Sequence, residues 1–294
     1  MILIPTKNYQ IGILTTFVFM LLAFLLSGSF MDIFWGFGVI TVGILHGAND
    51  LEILSKKFKG GVNKLYLRFL MLYLLVVILG AIFFFTLPSL ALLIFVIFSS
   101  YHFGEQHWEN KLAMYRYNFL FYTIYGALIF FLIFTLQYDE VVVVIDRISG
   151  YTLTYELFLY PCIGLGITLI IWILFVKQLR IFFINECLLL LLLGGLFSVG
   201  SLLFAFAFYF VVWHSLPSLK EQLIYLHGDF NLKSFFKYFK SSFIYWIAAL
   251  VSLFLVYRYV DFKADYFMPL FFSFLAAITF PHTIVIGMMK YKNA

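Results

Sequence analysis

Residues 88–108 read PSLALLIFVIFSSYHFGEQHW. The run opens as a membrane helix would, with proline at its start and then apolar side chains at nearly every position. It closes on two histidines and a glutamate, groups that a bilayer tolerates poorly and that mark a functional site when they lie inside it.

The rest of the chain repeats the apolar half of that pattern. Of its 294 residues, 64% are hydrophobic and only 11% charged, with a mean hydropathy of +1.04. Those values exclude a water-soluble globular domain and point to an all-α, polytopic integral membrane protein. The 40 Phe and 20 Tyr fit lipid-facing aromatic surface without any ligand. No basic segment with a short apolar core and small-residue cleavage site opens the chain, so IGILTTFVFMLLAFLLS (11–27) reads as a retained first helix. Cys162 and Cys187 lie in or beside apolar runs and have no metal-ligand spacing.

Windows of roughly 20 apolar residues fall at 11–27, 30–48, 66–87, 89–108, 117–137, 156–176, 182–199, 201–217, 242–260 and 266–288. This predicts about ten transmembrane helices in one transmembrane domain, 1–294. The weakest division is between the seventh and eighth, where Gly194, Gly195 and Gly200 are the turn signal. With the N-terminus inside, the inner segments hold Lys7; Lys56, Lys57, Lys59, Lys64 and Arg68; Lys111 and Arg116; Lys177 and Arg180; Lys220, Lys233, Lys237 and Lys240; Lys290 and Lys292. Only Arg147, Arg258 and Lys263 of the 19 basic residues fall outside, the skew that correct N-in, C-in topology produces. The outer side carries Asp32, Asp139, Glu140, Asp146, Asp261 and Asp265. The expected location is the cell (inner) membrane, multi-pass. Within the inner segment Lys220–Lys240, KSFFKYFK reads as an interfacial helix against membrane lipid, not a nucleic-acid patch. No internal repeat or linker is visible.

His46, His102, His214 and His282 fall in the second, fourth, eighth and tenth windows, all running from outside to inside. The next lysine lies 10, 9, 6 and 8 residues further on, which places all four imidazoles roughly 9–15 Å from the inner interface at about 1.5 Å per residue. A lone histidine near a helix end is most often structural, but four at one depth shift the balance toward metal. Neutral imidazole is the commonest nitrogen ligand for iron, zinc and copper, and burying it costs far less than burying a charge. Asp50 follows His46 by four residues and Glu105 follows His102 by three, so each carboxylate can sit on its histidine's helical face as orienting partner or substitute ligand. Glu52 and Glu109 read as solvated boundary charges.

His102 and His107 are five residues apart, about 140° around a straight helix, and cannot easily share one ion. His102 is the ligand candidate; His107, beside Trp108, reads as the point where the helix meets water or as a group that supports a ligand from behind. The histidines are too few for a di-iron HxxxH/HxxHH centre. They suit one metal, and four neutral nitrogens would leave iron with open positions for O2 in a nonpolar cavity.

Taken together, HGANDLEIL, YHFGE, WHSLPS and FPHTIV resemble the Brp/Blh family of integral-membrane β-carotene 15,15′-dioxygenases, in the family's order from about Asp32 to Met289. The resemblance implies Fe(2+) as cofactor, with His46, His102 and His214 as ligands and His282 matching the late histidine motif. No other catalytic group and no further cofactor-binding residue are implied. Family members often carry a second histidine four residues after the WH histidine, where this chain has Ser218. The fourth ligand thus lies among His282, favoured by depth, and Asp50 or Glu105, and the loss admits a changed substrate or an inactive relative.

The implied reaction is central cleavage of β-carotene by O2 into two all-trans-retinal, which would serve a microbial rhodopsin. It needs no NADPH, and the scattered glycines make no dinucleotide fingerprint. Two rivals remain: a histidine-relay transporter, which would favour inverted repeats and helices broken near the midplane, as at Pro281, and a metal-dependent membrane oxygenase acting on another carotenoid or lipid.

Overall fold

The computed structural model describes residues 7–58, 64–109, 111–112, 118–259 and 267–290, and every regular element among them is helical. The expected inner charges Lys59, Arg116 and Lys292 and outer charges Asp261, Lys263 and Asp265 lie outside the described residues, as do the side chains of Lys7 and Lys64.

The chain begins with α1 (Lys7–Leu25) and α2 (Gly28–Gly38), the latter running into a wider π-helical turn, Val39–Gly43. It continues through α3 (Asp50–Lys57), α4 (Lys64–Thr86), α5 (Pro88–Trp108), α6 (Asn118–Leu136), α7 (Tyr138–Ser149), α8 (Glu156–Phe175), α9 (Lys177–Arg180) and α10 (Phe183–Val199). Then come α11 (Leu202–Phe208), a second π-helical turn at Tyr209–Ser215, α12 (Leu216–His227), α13 (Leu232–Tyr259) and α14 (Phe267–Lys290). Local chemistry sets several of these boundaries. Ser27 caps α2 by accepting from the Phe30 N–H, and Gly228 ends α12 at φ 89°, a conformation glycine adopts without strain.

Among the described residues seven helices are long and apolar enough to cross a membrane: α4, α5, α6, α8, the run Leu202–His227, α13 and α14. Three further apolar helices, Tyr9–Leu25, Gly28–Gly43 and Phe183–Val199, are shorter. Their outward faces are apolar; on α8, Ile163, Ile167, Ile170 and Leu174 are each about half exposed. Hydrocarbon solvates such a surface at no cost, whereas water does not. This is a multi-pass membrane protein.

The division between the seventh and eighth windows falls at Gly200. Ser201 caps α11 there by accepting from the Phe204 N–H at 3.0 Å, and Gln137 donates to the Gly200 carbonyl at 2.7 Å. KSFFKYFK (233–240) forms no separate interfacial helix. It is the opening of the continuous α13, because the segment from Leu232 to Tyr259 contains neither glycine nor proline and its start is capped by Asn231, which accepts from the Ser234 N–H. Pro281 leaves α14 unbroken.

The chain forms two compact units. One comprises residues 1–39, 100–143 and 152–214; the other 40–99, 144–151 and 215–294. In the first, α1 packs on α10, α6 on α8 and α10, and α11 against α2, α6 and α10. All but one residue of α11 are buried. Here α5 and α6 pack backbone to backbone: a Cβ on Gly104 would overlap the Tyr122 carbonyl, and one on Gly126 the Ser100 carbonyl. The glycine of the HFGE motif is thus a helix-packing residue. In the second unit α14 packs against α3, α4 and α13, and α12 against α3 and α13. Ile53, Leu223, Tyr238 and Ile286 are fully buried at its centre.

Candidate metal centre

Each unit holds one pair of buried histidines whose rings touch each other. In the second unit, His46 sits in the turn between the Val39–Gly43 π turn and α3, and His282 in the middle of α14; they are 3% and 5% exposed. Their ring centroids are 4.7 Å apart, nearly perpendicular at 89°. The His46 Nδ1 donates to the Gly43 carbonyl. His282 Nδ1 donates to Asp50 at 2.9 Å, and Tyr73 of α4 donates to the same carboxylate at 2.9 Å. A carbonyl and a carboxylate only accept, so Nδ1 carries a hydrogen on both rings and Nε2 is the nitrogen left to bind a metal. That is the arrangement a metal ligand needs, fixed by a partner behind the ring.

Asp50 therefore serves His282, on another helix, and not the histidine four residues before it. The four-residue spacing would align Asp50 with His46 only in an unbroken helix. Residues 46–49 instead form tight turns, with Gly47 N–H bonding Ile44 O and Ala48 N–H bonding Leu45 O. The turn sends the Asp50 carboxylate to α14, and it is buried, 2% exposed.

In the first unit, His102 of α5 and His214 of the second π turn have ring centroids 4.7 Å apart at 73° and are 0% and 2% exposed. His214 packs against two aromatic rings, near-parallel to Phe103 at 4.4 Å and to Phe210 at 5.4 Å, and these two rings also meet each other at 6.0 Å. The π turn has a local cause. Pro217 lacks the N–H that would bond the Trp213 carbonyl, and its ring crowds that carbonyl, so the helix widens before it. Glu105 is buried on the same stretch of α5 and accepts from Tyr101 at 2.5 Å.

Both pairs meet the geometric demand of a shared ion. A metal–imidazole bond of about 2.1 Å plus about 1.1 Å from nitrogen to ring centre puts each centroid about 3.2 Å from the metal. Two such rings subtending about 95° are then about 4.7 Å apart, the spacing found in each unit. The donor set is buried and nitrogen-rich, which suits a divalent transition metal. Ser218 is buried on α12 and accepts from Gln222 at 3.1 Å; Gln222 in turn accepts from Tyr238, whose hydroxyl lies 3.0 Å from the His46 carbonyl.

His107 and Trp108 do not mark a water boundary. They are 8% and 0% exposed, because helices and the Lys111 segment cover this end of α5. His107 turns away from His102, as five-residue spacing requires, and meets Glu186 of α10 at 3.0 Å. Glu186 escapes a reading focused on histidines, yet its signal is present: a lone carboxylate in the apolar run FINECLLLLLL.

The family model described as Beta-carotene 15,15'-dioxygenase matches residues 37–290, a span that contains all four histidines, Asp50 and Glu105. The chain belongs to that family. No curated protein and no solved structure matches it.

Proposed function

We propose, from this family membership, that the protein cleaves β-carotene at its central 15,15′ double bond with O2 to give two all-trans-retinal, using Fe(2+) held by His46, His102, His214 and His282. The observation that carries the reading is the pair of 4.7 Å imidazole contacts, each between buried histidines and each of the size that ligation of a common ion requires. Three of these residues, His46, His214 and His282, are buried groups able to hold a metal. Bound iron(II) with nitrogen ligands and open positions supplies the O2-reactive centre.

The chain's own residues bind, orient and exclude water. Gly43 and Asp50 hold Nδ1–H on His46 and His282, so that the two Nε2 atoms would be the ones to hold the ion. Phe103 and Phe210 pack against His214 and keep its surroundings apolar. His282 is the fourth ligand, since Ser218 is engaged with Gln222; Glu105 remains a supporting carboxylate for His102. The central C=C bond breaks and two C=O bonds form, one oxygen atom of O2 entering each aldehyde, so neither proton nor external reductant is consumed. A hydrocarbon polyene dissolved in membrane lipid reaches such a site from the bilayer.

In this reading the three shorter apolar helices also traverse the membrane. With the seven longer ones they give ten spans with both termini inside a cell (inner) membrane, acting as one transmembrane domain, and the retinal released there serves a microbial rhodopsin. Expression in cells that accumulate β-carotene tests the activity. Retinal should appear as β-carotene is lost, in a ratio of two to one; unchanged pigment alongside well-expressed, iron-loaded protein would refute it. Cleavage of a different carotenoid under the same conditions would instead favour the reading in which Ser218 marks an altered substrate.

A further inference from the structure

A second cluster of buried ionisable groups lies in the first unit, and the reaction above has no use for it as a proton relay, because no proton is transferred overall. Its centre is Glu186, 1% exposed, one turn inside α10. One carboxylate oxygen takes the Lys111 ammonium at 2.9 Å and the Tyr9 hydroxyl at 3.1 Å; the other takes the Tyr125 hydroxyl at 2.9 Å and faces His107 Nε2 at 3.0 Å. Lys111 also lies over the rings of Tyr9 and Trp108, at 4.4 and 4.7 Å. One carboxylate therefore gathers side chains from α1, α5, α6 and the segment after α5. Breaking such a buried, fully engaged group leaves an uncompensated charge, so its geometry is sharply defined.

Two members of the cluster grip Trp213. Tyr9 meets the indole edge-on at 5.5 Å, and His107 packs against it at 5.9 Å. On α1, a Cβ at Gly12 would lie only 2.8 Å from the indole, so glycine opens the slot in which the ring sits, and Thr16 accepts from Trp213 Nε1 at 3.0 Å. Trp213 immediately precedes His214 in the π turn. A π turn is a rarely populated helical form; Pro217 opens this one locally, and the seat of Trp213 adds a tertiary constraint on the direction in which it presents its side chains.

We propose that Glu186 is a positioning residue for the metal centre: through His107 and Tyr9 it seats Trp213 and so fixes the π turn that aims His214. This rests on His214 being a ligand, as in the function proposed above. Glu186 itself touches neither metal nor substrate.

The test uses Co(II) added to the purified full-length protein in detergent, read by the visible absorption of the bound ion, which reports coordination geometry independently of turnover. Glu186→Gln should keep wild-type helicity and elution, bind Co(II) about tenfold more weakly, in the range seen when an outer-shell partner is lost, and show an altered visible spectrum. Tyr125→Phe, which deletes one hydroxyl and keeps the ring, should shift the spectrum in the same direction by less. His227→Ala should match the wild type. A wild-type spectrum and affinity in Glu186→Gln would overturn the proposal; should that variant not fold, an unchanged spectrum in Tyr125→Phe would do so. If His214→Ala leaves Co(II) binding unaltered, the ligand assignment fails, and this inference with it; failure of Glu186 alone leaves that assignment standing.

Discussion

The two histidine pairs share a spacing and differ in what stands behind the rings. His46 and His282 are held by hydrogen bonds, to a peptide carbonyl and to a carboxylate that is itself tied to Tyr73. His214 packs near-parallel against Phe103 and Phe210. A hydrogen bond sets both orientation and tautomer and makes the ligand more basic. Stacking sets the ring plane and leaves the protonation pattern to other neighbours. The first pair is thus tuned by polar partners, and His214 of the second by the aromatic rings it packs on.

That contrast orders the expected effects. Replacing His46, His102, His214 or His282 singly by Ala should reduce retinal formation to background and lower metal content; full activity in any one would remove that residue from the ligand set. Asp50→Ala comes next, because it strips the His282 imidazole of its partner: metal affinity should fall about 10–100-fold, measured by competition with a chelator. Phe103→Leu should cost less, about 1 kcal/mol or a fewfold in affinity, since one stacking contact is lost and the pocket can close partly around leucine. Tyr73→Phe should have the smallest effect, about threefold, as Asp50 keeps His282 and loses a single donor. If Phe103→Leu proved more damaging than Asp50→Ala, the division between polar support of the first pair and aromatic support of His214 would be wrong.

Much of the helical plan can be read from composition alone. Most apolar windows coincide with helices, the one at 30–48 running past its helix into the turn at 46–49, and Gly200 with the capping Ser201 marks a helix boundary in the longest apolar run. The histidines stand out for the same reason: polar groups are rare in such segments, so their spacing to the next lysine carries information. What stays hidden depends on backbone departures and on partners distant in sequence. The turn at 46–49 redirects Asp50 from His46 to His282, 232 positions away, and helical spacing presupposes that no such turn intervenes. KSFFKYFK looks like a surface helix because its lysines alternate with aromatics, yet nothing in it stops the helix from running on into α13. Trp108 suggests an interface by type, but packing on Phe121, Tyr125 and Phe182 buries it. Glu186 acquires its meaning only when Tyr9, His107, Lys111 and Tyr125 converge on it.

The central claim is that both pairs serve one iron ion. Iron content of the purified protein, measured beside the double variants His46→Ala/His282→Ala and His102→Ala/His214→Ala, tests it most directly. The account predicts one iron per wild-type chain and almost none in either double variant. A full complement of iron in one of the two would contradict it, assigning the metal to the surviving pair alone.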